Sequence, residues 1–161
     1  MAKGKIKMRN EKLMNALVVM EEIVRSEMGA NNERVLSFDM NGYPLLKIES
    51  EKYLVDIDDV VGEDNKKYFI RAYLKDVNVK DNLFSALRVS NFYNETRNFK
   101  VFIRECIEDD MMPVIEIKVS LKKILKGGMF KELKEEIGVY REMLEDAFKG
   151  KSIEELMEKY I

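Results

Sequence analysis

The chain of 161 residues is 46% hydrophobic and 36% charged, a composition typical of a single globular domain. Its 28 basic and 30 acidic residues leave a net charge of −2, which provides no overall field to attract nucleic acid. The one cysteine, Cys106, excludes an intrachain disulfide, and the absence of histidine removes the usual side chain for base catalysis and metal binding. We therefore expect a cytoplasmic protein with no metal or other cofactor.

The N-terminal segment predicts a basic tail followed by a helix. Residues 1–9 carry Lys3, Lys5, Lys7 and Arg9 and are interpreted as a flexible tail. Over residues 10–28 apolar side chains recur at helical spacing, at Leu13, Leu17, Met20 and Val24. Gly29 is expected to end this helix. Asn15 and the acidic residues that follow interrupt the apolar run, so we predict neither a secretion signal nor a membrane span.

The next part of the chain predicts four strands, at residues 34–40, 43–49, 52–57 and 67–75. Asn41-Gly42 joins the first two, because both residues tolerate the positive φ angles of a tight hairpin. The acidic segment 56–65 is interpreted as a solvated loop that protects a sheet edge. It does not fit a calcium-binding loop, since Val60, Val61 and Lys67 stand where that loop needs oxygen ligands or glycine.

Residues 81–121 predict a helix followed by two strands. Asp81 is expected to cap the helix, whose apolar face consists of Leu83, Ala86, Leu87 and Ser90. A strand over residues 101–107 and a second one from Pro113 follow. In the second strand Ile115, Ile117 and Val119 alternate with Glu116, Lys118 and Ser120. This alternation predicts a sheet with one face buried and the other exposed to water.

The C-terminal part predicts two helices. Gly127-Gly128 precede a helix over residues 129–149, with an apolar stripe of Phe130, Leu133, Ile137, Tyr140, Leu144 and Ala147. Gly150 ends it, and Ser152 with Glu155 forms a capping box that opens a last helix. The order α-β-β-β-β-α-β-β-α-α predicts a single α+β domain over residues 10–161, with a mostly antiparallel sheet and helices on one or both faces.

This order, together with the segment SNFYNETRNFKVFI, resembles the YbjN family of bacterial sensory transduction regulators. The likeness is carried by Asn91 and Asn94 late in the helix, the bend at residues 97–99 and the strand from Val101. It covers about residues 10–149, without the basic tail, the acidic segment or the last helix. The resemblance implies a fold similar to that of type III secretion chaperones and a binding or regulatory role. It carries over no catalytic residues.

Two groups of residues are candidate binding sites. Asn91 and Asn94 share one helix face, where they either bind a partner's backbone or bond the neighbouring strand within the chain. The second group is the apolar side of the last helix, which either forms a homodimer contact or docks within the chain. It consists of Ile153, Leu156, Met157, Tyr160 and Ile161.

The sequence therefore favours a chaperone-like or regulatory module that binds a protein or peptide partner and has no enzymatic activity. A nucleic-acid-associated regulator that uses the basic tail is one alternative, although no nucleic-acid-binding motif accompanies the tail. A carboxylate-dependent enzyme is another, although the sequence has no glycine-rich phosphate loop, nucleophile elbow or metal constellation. Cys106 lacks an activating histidine and is interpreted as a packed side chain.

Overall fold

The computed structural model describes residues 2–29, 34–38, 44–59, 67–105 and 110–161, with the side chains of 15–29, 45–58, 67–105 and 110–161. The helices are α1 (Ala2–Met28), α2 (Leu83–Thr96), α3 (Leu121–Lys126), α4 (Met129–Phe148) and α5 (Ile153–Tyr160). The strands are β1 (Arg34–Phe38), β2 (Pro44–Glu49), β3 (Tyr53–Asp59), β4 (Lys67–Leu74), β5 (Lys100–Glu105) and β6 (Met111–Ser120). The predicted α+β class and element order are confirmed, with the short helix α3 as an addition.

The strands in these ranges form one antiparallel sheet in the order β1-β2-β3-β4-β6-β5. The first four strands pair with their neighbours in sequence. After β4 the chain forms helix α2 and then β5, which does not pair with β4. Strand β6 instead lies between β4 and β5, so that β5 is an outer strand. As a result, β1 and β5 are the two edges of the described sheet.

One face of the sheet is buried under the helices. Ile48, Val55, Ala72, Ile115 and Val101 lie side by side across five strands, and each is at most 1% exposed. The same core contains Leu17, Met20 and Val24 of α1 and Phe130, Leu133, Ile137, Tyr140 and Leu144 of α4. The predicted apolar stripes of both helices are therefore confirmed wherever their side chains are described.

The predicted helix ends at Gly29 and Ser152 are confirmed by their geometry. Gly29 has a φ of +60° and donates its N–H to the Arg25 carbonyl at 3.1 Å. The Ser152 side chain accepts from the Glu155 backbone N–H at 3.2 Å, and Glu155 Oε1 accepts from the Ser152 N–H at 3.4 Å. Both ends are encoded within a few residues, which is why the sequence was sufficient to predict them.

The start of α4 is capped by a side chain from α1. The Glu27 carboxylate accepts hydrogen bonds from the backbone N–H groups of Gly128 at 2.6 Å and Phe130 at 3.0 Å. These groups have no partner within their own helix, and a negative charge is favourable at a helix N-terminus. Glu27 lies 101 residues from Gly128, so no local sequence pattern predicts this cap.

Three predictions about local structure are wrong. Helix α1 begins at Ala2, so residues 2–9, predicted as a flexible tail, have helical backbone; their lysine, arginine and methionine residues are good helix formers. Asp81 does not cap α2, because it lies in a 3-10 turn and accepts from Asn78 Nδ2 at 2.9 Å. Asp58, predicted in a solvated loop that protects a sheet edge, belongs to β3, an interior strand that also contains Asp56, as the predicted strand 52–57 did.

Three predicted features lie outside the described residues. These are the turn at Asn41-Gly42, the acidic residues of 60–65 and the environment of Cys106. Each stays a prediction.

Candidate protein-binding surfaces

The solvent-facing side of α2 carries two large apolar side chains. Phe84 is 73% exposed and Leu87 is 46% exposed, whereas Ala86 on the other side of the helix is fully buried. Leu87 was predicted on the buried face, but it lies one residue past Ala86 and is therefore turned by about 100° around the helix axis. Asn91 is exposed one turn further along. We call Phe84, Leu87 and Asn91 the α2 surface.

Asn94 holds the end of α2 against the edge strand β5. Its Nδ2 donates to the Val101 carbonyl at 2.9 Å, and its Oδ1 accepts from the Val101 N–H at 2.8 Å. The side-chain amide thus pairs with the outward-facing backbone of Val101 in the way that another strand would. This contact is the intramolecular role that the sequence left open for Asn94. It also occupies part of an edge that would otherwise be open to a foreign strand.

Replacing Asn94 with leucine is expected to lower the free energy of unfolding by about 1–3 kcal/mol, because both Val101 backbone groups lose their partner. Urea denaturation measures the change. Asn91→Leu is the matched control and should change stability by no more than about 0.5 kcal/mol, since Asn91 lies on the exposed side of the same helix. Equal stability of the Asn94→Leu protein and the wild type would contradict the structural role of this side chain.

Helix α5 docks on α4 of the same chain. Leu156 is fully buried, and Ile153 and Tyr160 pack partly against the core. Met157 is 47% exposed and Ile161 is 75% exposed. Of the five residues predicted as a candidate dimer contact, Met157 and Ile161 are therefore the two whose apolar side chains are most available at the surface.

Polar contacts fix α5 in this position. Lys159 Nζ and the Tyr160 hydroxyl both donate to Asp146 Oδ2 at 2.9 Å, and Lys159 also forms an ion pair with Glu142 at 2.7 Å. The hydrogen bond from Lys159 lowers the pKa of Glu142. Burial alone would raise the pKa of Asp146, but the hydrogen bonds from Lys159 and Tyr160 outweigh it and lower that pKa. Bonding to Glu142 and Asp146 raises the pKa of Lys159.

We expect α5 to undock at both ends of the pH range. The depressed pKa values of Glu142 and Asp146 give stability that is present above their ordinary values of 4.5 and 3.8 and is lost as pH falls through the lower folded values. The raised pKa of Lys159 gives stability that is present below its ordinary value of 10.5 and is lost as pH rises through the higher folded value.

The methyl NMR signals of Leu156 report this undocking directly, because the side chain moves from the core into water. They should shift in acid before the core methyl signals of Ile115 change. Leu156 signals that change only together with those of Ile115 would show that these ion pairs do not control the docking of α5.

A second polar cluster joins α2, α4 and α5. Arg97 donates to the Glu136 carboxylate from Nε to Oε2 at 2.8 Å and from Nη2 to Oε1 at 2.9 Å. The Tyr93 hydroxyl donates to Glu136 at 3.1 Å, and Arg97 Nη1 donates to the Tyr160 carbonyl at 3.3 Å. Hydrogen bonding to Glu136 raises the pKa of Arg97, and burial raises the pKa of Tyr93. Arg97 therefore keeps its positive charge through the neutral pH range.

The sheet face opposite the helices carries a row of alternating charges. The row consists of one residue from each of five adjacent strands, each paired with the next, and we call it the charge row. Its members, from β2 to β5 across the sheet, are Lys47, Asp56, Arg71, Glu116 and Lys100. Arg71 Nε contacts Glu116 Oε2 at 2.6 Å, with the two side chains 28% and 14% exposed. This agrees with the predicted water-facing side of β6, although Val114 on the same face is fully buried.

A second row lies beside the charge row and centres on an aromatic ring. Asp58, Phe69 and Lys118 are paired across β3, β4 and β6. The Arg71 guanidinium carbon lies 4.8 Å from the Phe69 ring centroid, and Lys118 Nζ lies 5.8 Å from it. Both cations thus face the negative side of the ring, a favourable arrangement. We call Asp58, Phe69 and Lys118 the aromatic row.

Asp56 is the most constrained member of the charge row. Its Oδ1 atom is buried and, within the described residues, has no hydrogen-bond partner. Burial raises the pKa of this carboxyl, while Lys47 across the sheet and the Tyr73 hydroxyl oppose the rise. Arg104 Nη1 in turn donates to the Tyr73 hydroxyl at 2.5 Å. Among the residues that the structure describes, no three acidic or cysteine side chains are grouped so that they could hold a metal ion.

A lysine-rich groove of about 530 Å³ lies between α3 and the start of α4. Lys122, Lys123 and Lys126 line it together with Gly128. The Glu27 carboxylate already occupies the backbone N–H groups at that end of α4. The position where an anion would bind a helix N-terminus is therefore filled by a group of the chain itself.

Comparison with known proteins adds little to this description. No protein-family model matches the sequence, and no curated protein matches it. A solved structure that resembles the chain is the crystal structure of YbjN, a candidate transcription regulator from E. coli, with 14% identity and a TM-score of 0.40 over 82% of this chain and 92% of that chain. Membership of the YbjN family stays a prediction.

None of the helices that the structure describes is both long enough and apolar enough to cross a bilayer.

Proposed function

We propose that the chain is a protein-binding module, chaperone-like or regulatory and without enzymatic activity, and that its partner binds at the α2 surface. The supporting observation is the exposure of Phe84 at 73% and Leu87 at 46% on one side of a helix that is otherwise well packed. Apolar surface in water costs about 25 cal/mol per Å², which binding of an apolar partner would recover. Neighbouring apolar side chains of this size are typical of interaction sites.

The chemistry of the α2 surface defines the kind of partner. Phe84 and Leu87 would contact apolar side chains, and the Asn91 amide would both donate to and accept from a peptide backbone. The Arg88 guanidinium carbon lies 5.8 Å from the centroid of the Phe84 ring, so it adds a cation at the border of the surface. A peptide segment with apolar side chains and free backbone groups therefore suits this surface. The sequence resemblance to the YbjN family favours the same class of function.

Affinity capture from extracts of the native cell tests this proposal. The bait proteins are the wild type, the double variant Phe84→Ser/Leu87→Ser and a matched control, Val19→Ser/Leu125→Ser. The control removes two apolar side chains that are 47% and 52% exposed on α1 and α3.

The wild type and the control should retain the same partner, and the α2 variant should retain at least about tenfold less, which corresponds to a loss of 1.4 kcal/mol. Thermal unfolding establishes that each bait is folded. Undiminished capture by the folded α2 variant would contradict the proposal.

A further inference from the structure

We propose that two copies of the chain associate around a two-fold axis that runs parallel to the strands between β4 and β6. They would meet through the sheet face opposite the helices, which carries the charge row and the aromatic row and which we call the open face. The α2 surface lies on the opposite, helix-covered side of the sheet and stays free in this arrangement. A dimer of this kind therefore does not depend on partner binding at the α2 surface.

The charge row determines where such an axis can lie. Rotation about an axis parallel to the strands keeps each row facing the same row of the second copy but reverses the strand order. An axis through β4 would place Arg71 against Arg71 of the second copy, and Lys47 against Lys100, so that like charges meet. An axis between two strands instead brings opposite charges together, because the signs alternate from strand to strand. A two-fold interface must be self-complementary in this way.

The aromatic row then decides whether the two-fold axis lies between β3 and β4 or between β4 and β6. An axis between β3 and β4 would place the Asp58 carboxylate against the Phe69 ring, whose face is negative. An axis between β4 and β6 places Phe69 against Lys118 of the second copy, a cation–π contact like the one already present within the chain at 5.8 Å. The aromatic row thus favours the axis between β4 and β6.

A third row agrees with this choice. Leu54 and Phe102 are half-buried and have two strands between them, which carry Tyr73 and Val114 in the same row. The axis between β4 and β6 brings Leu54 against Phe102 of the second copy, so that two apolar side chains meet. The axis between β3 and β4 would instead bring Glu49 against Val114.

At the centre of this dimer, the Arg71–Glu116 pair of one copy lies against the same pair of the second copy in the reverse order. Each of the four charges then has two neighbours of opposite sign, and Asp56 lies against Lys100. Aligned packing of two sheet faces places them about 10 Å apart, which lets long side chains of this kind meet. Charge pairs at an interface contribute mainly to specificity and are weakened by salt where they stay partly exposed.

Sedimentation equilibrium of the full chain tests the proposal with four proteins. The wild type is compared with Lys100→Glu/Lys118→Glu, which reverses two exposed lysines of the open face. The variant Lys122→Glu/Lys123→Glu makes the same change in net charge on α3. The variant Met157→Ser/Ile161→Ser removes the exposed apolar side chains of the last helix, where the sequence predicted a homodimer contact.

The wild type should be a dimer whose dissociation constant rises with salt, and the open-face variant should dissociate at least tenfold more readily. The α3 and last-helix variants should dimerise like the wild type, and circular dichroism establishes that all four are folded. A monomeric wild type at high micromolar concentration would overturn the proposal. So would a dimer that tolerates the open-face changes or one that is lost in the last-helix variant.

Discussion

Replacing Glu136 with leucine is expected to lower the free energy of unfolding by about 2–3 kcal/mol. Complete burial of the remaining charge of a broken ion pair costs about 3–5 kcal/mol, and partial exposure reduces that cost. Arg97, which would lose its carboxylate partner, is 26% exposed at its side chain, and Glu136 is 14% exposed. The change also removes the hydrogen-bond acceptor of the Tyr93 hydroxyl. The C-terminal end of α2 and α4 would thus lose the polar contact between them.

A double-mutant cycle in urea separates the ion pair from other effects of the change. Arg97→Met and the combined variant complete the cycle with Glu136→Leu. If the pair acts as a unit, the combined variant should lose less free energy of unfolding than the two single variants lose together. Additive losses would show that Arg97 and Glu136 contribute independently.

The largest loss is expected from Phe130→Ala, at about 3–5 kcal/mol, because this substitution leaves a cavity in the core. Phe130 is fully buried at the first turn of α4, in the helix region that Glu27 caps. Phe84→Ala is a matched control with the same change in volume at a side chain that is 73% exposed. It should alter stability by no more than about 0.5 kcal/mol. Similar losses for the two variants would contradict the packing described for α2 and α4.

The parts of the fold that the sequence predicted correctly depend on neighbouring residues. The apolar stripe from Phe130 to Leu144 and the capping box of Ser152 and Glu155 are complete within one helix or one turn. Asp58 shows the limit of this reasoning. Its acidic character indicated a loop, although the alternation of Asp56 and Asp58 with Val55 and Ile57 continues the strand and decides the structure.

The parts that the sequence did not predict depend on how distant segments meet. The cap of Glu27 on α4 and the pairing of Arg97 with Glu136 join elements that are far apart in the chain. The charge row requires the strand order and register, because its five members come from five strands.

The candidate site was predicted in part. Asn91 and Asn94 were recognised, but Phe84 was not, although an aromatic residue outside the apolar stripe of a helix is itself an indication of an exposed surface.

Site-specific photocrosslinking from the α2 surface tests most directly whether it binds a protein. Benzoylphenylalanine in place of Phe84 changes the exposed ring little and reacts with whatever lies against it. The same group in place of the exposed Glu135 on α4 serves as the control position. In extracts of the native cell, we expect one discrete crosslinked protein from position 84 and none from position 135. No crosslinked protein from position 84, or the same set of proteins from both positions, would contradict binding at the α2 surface.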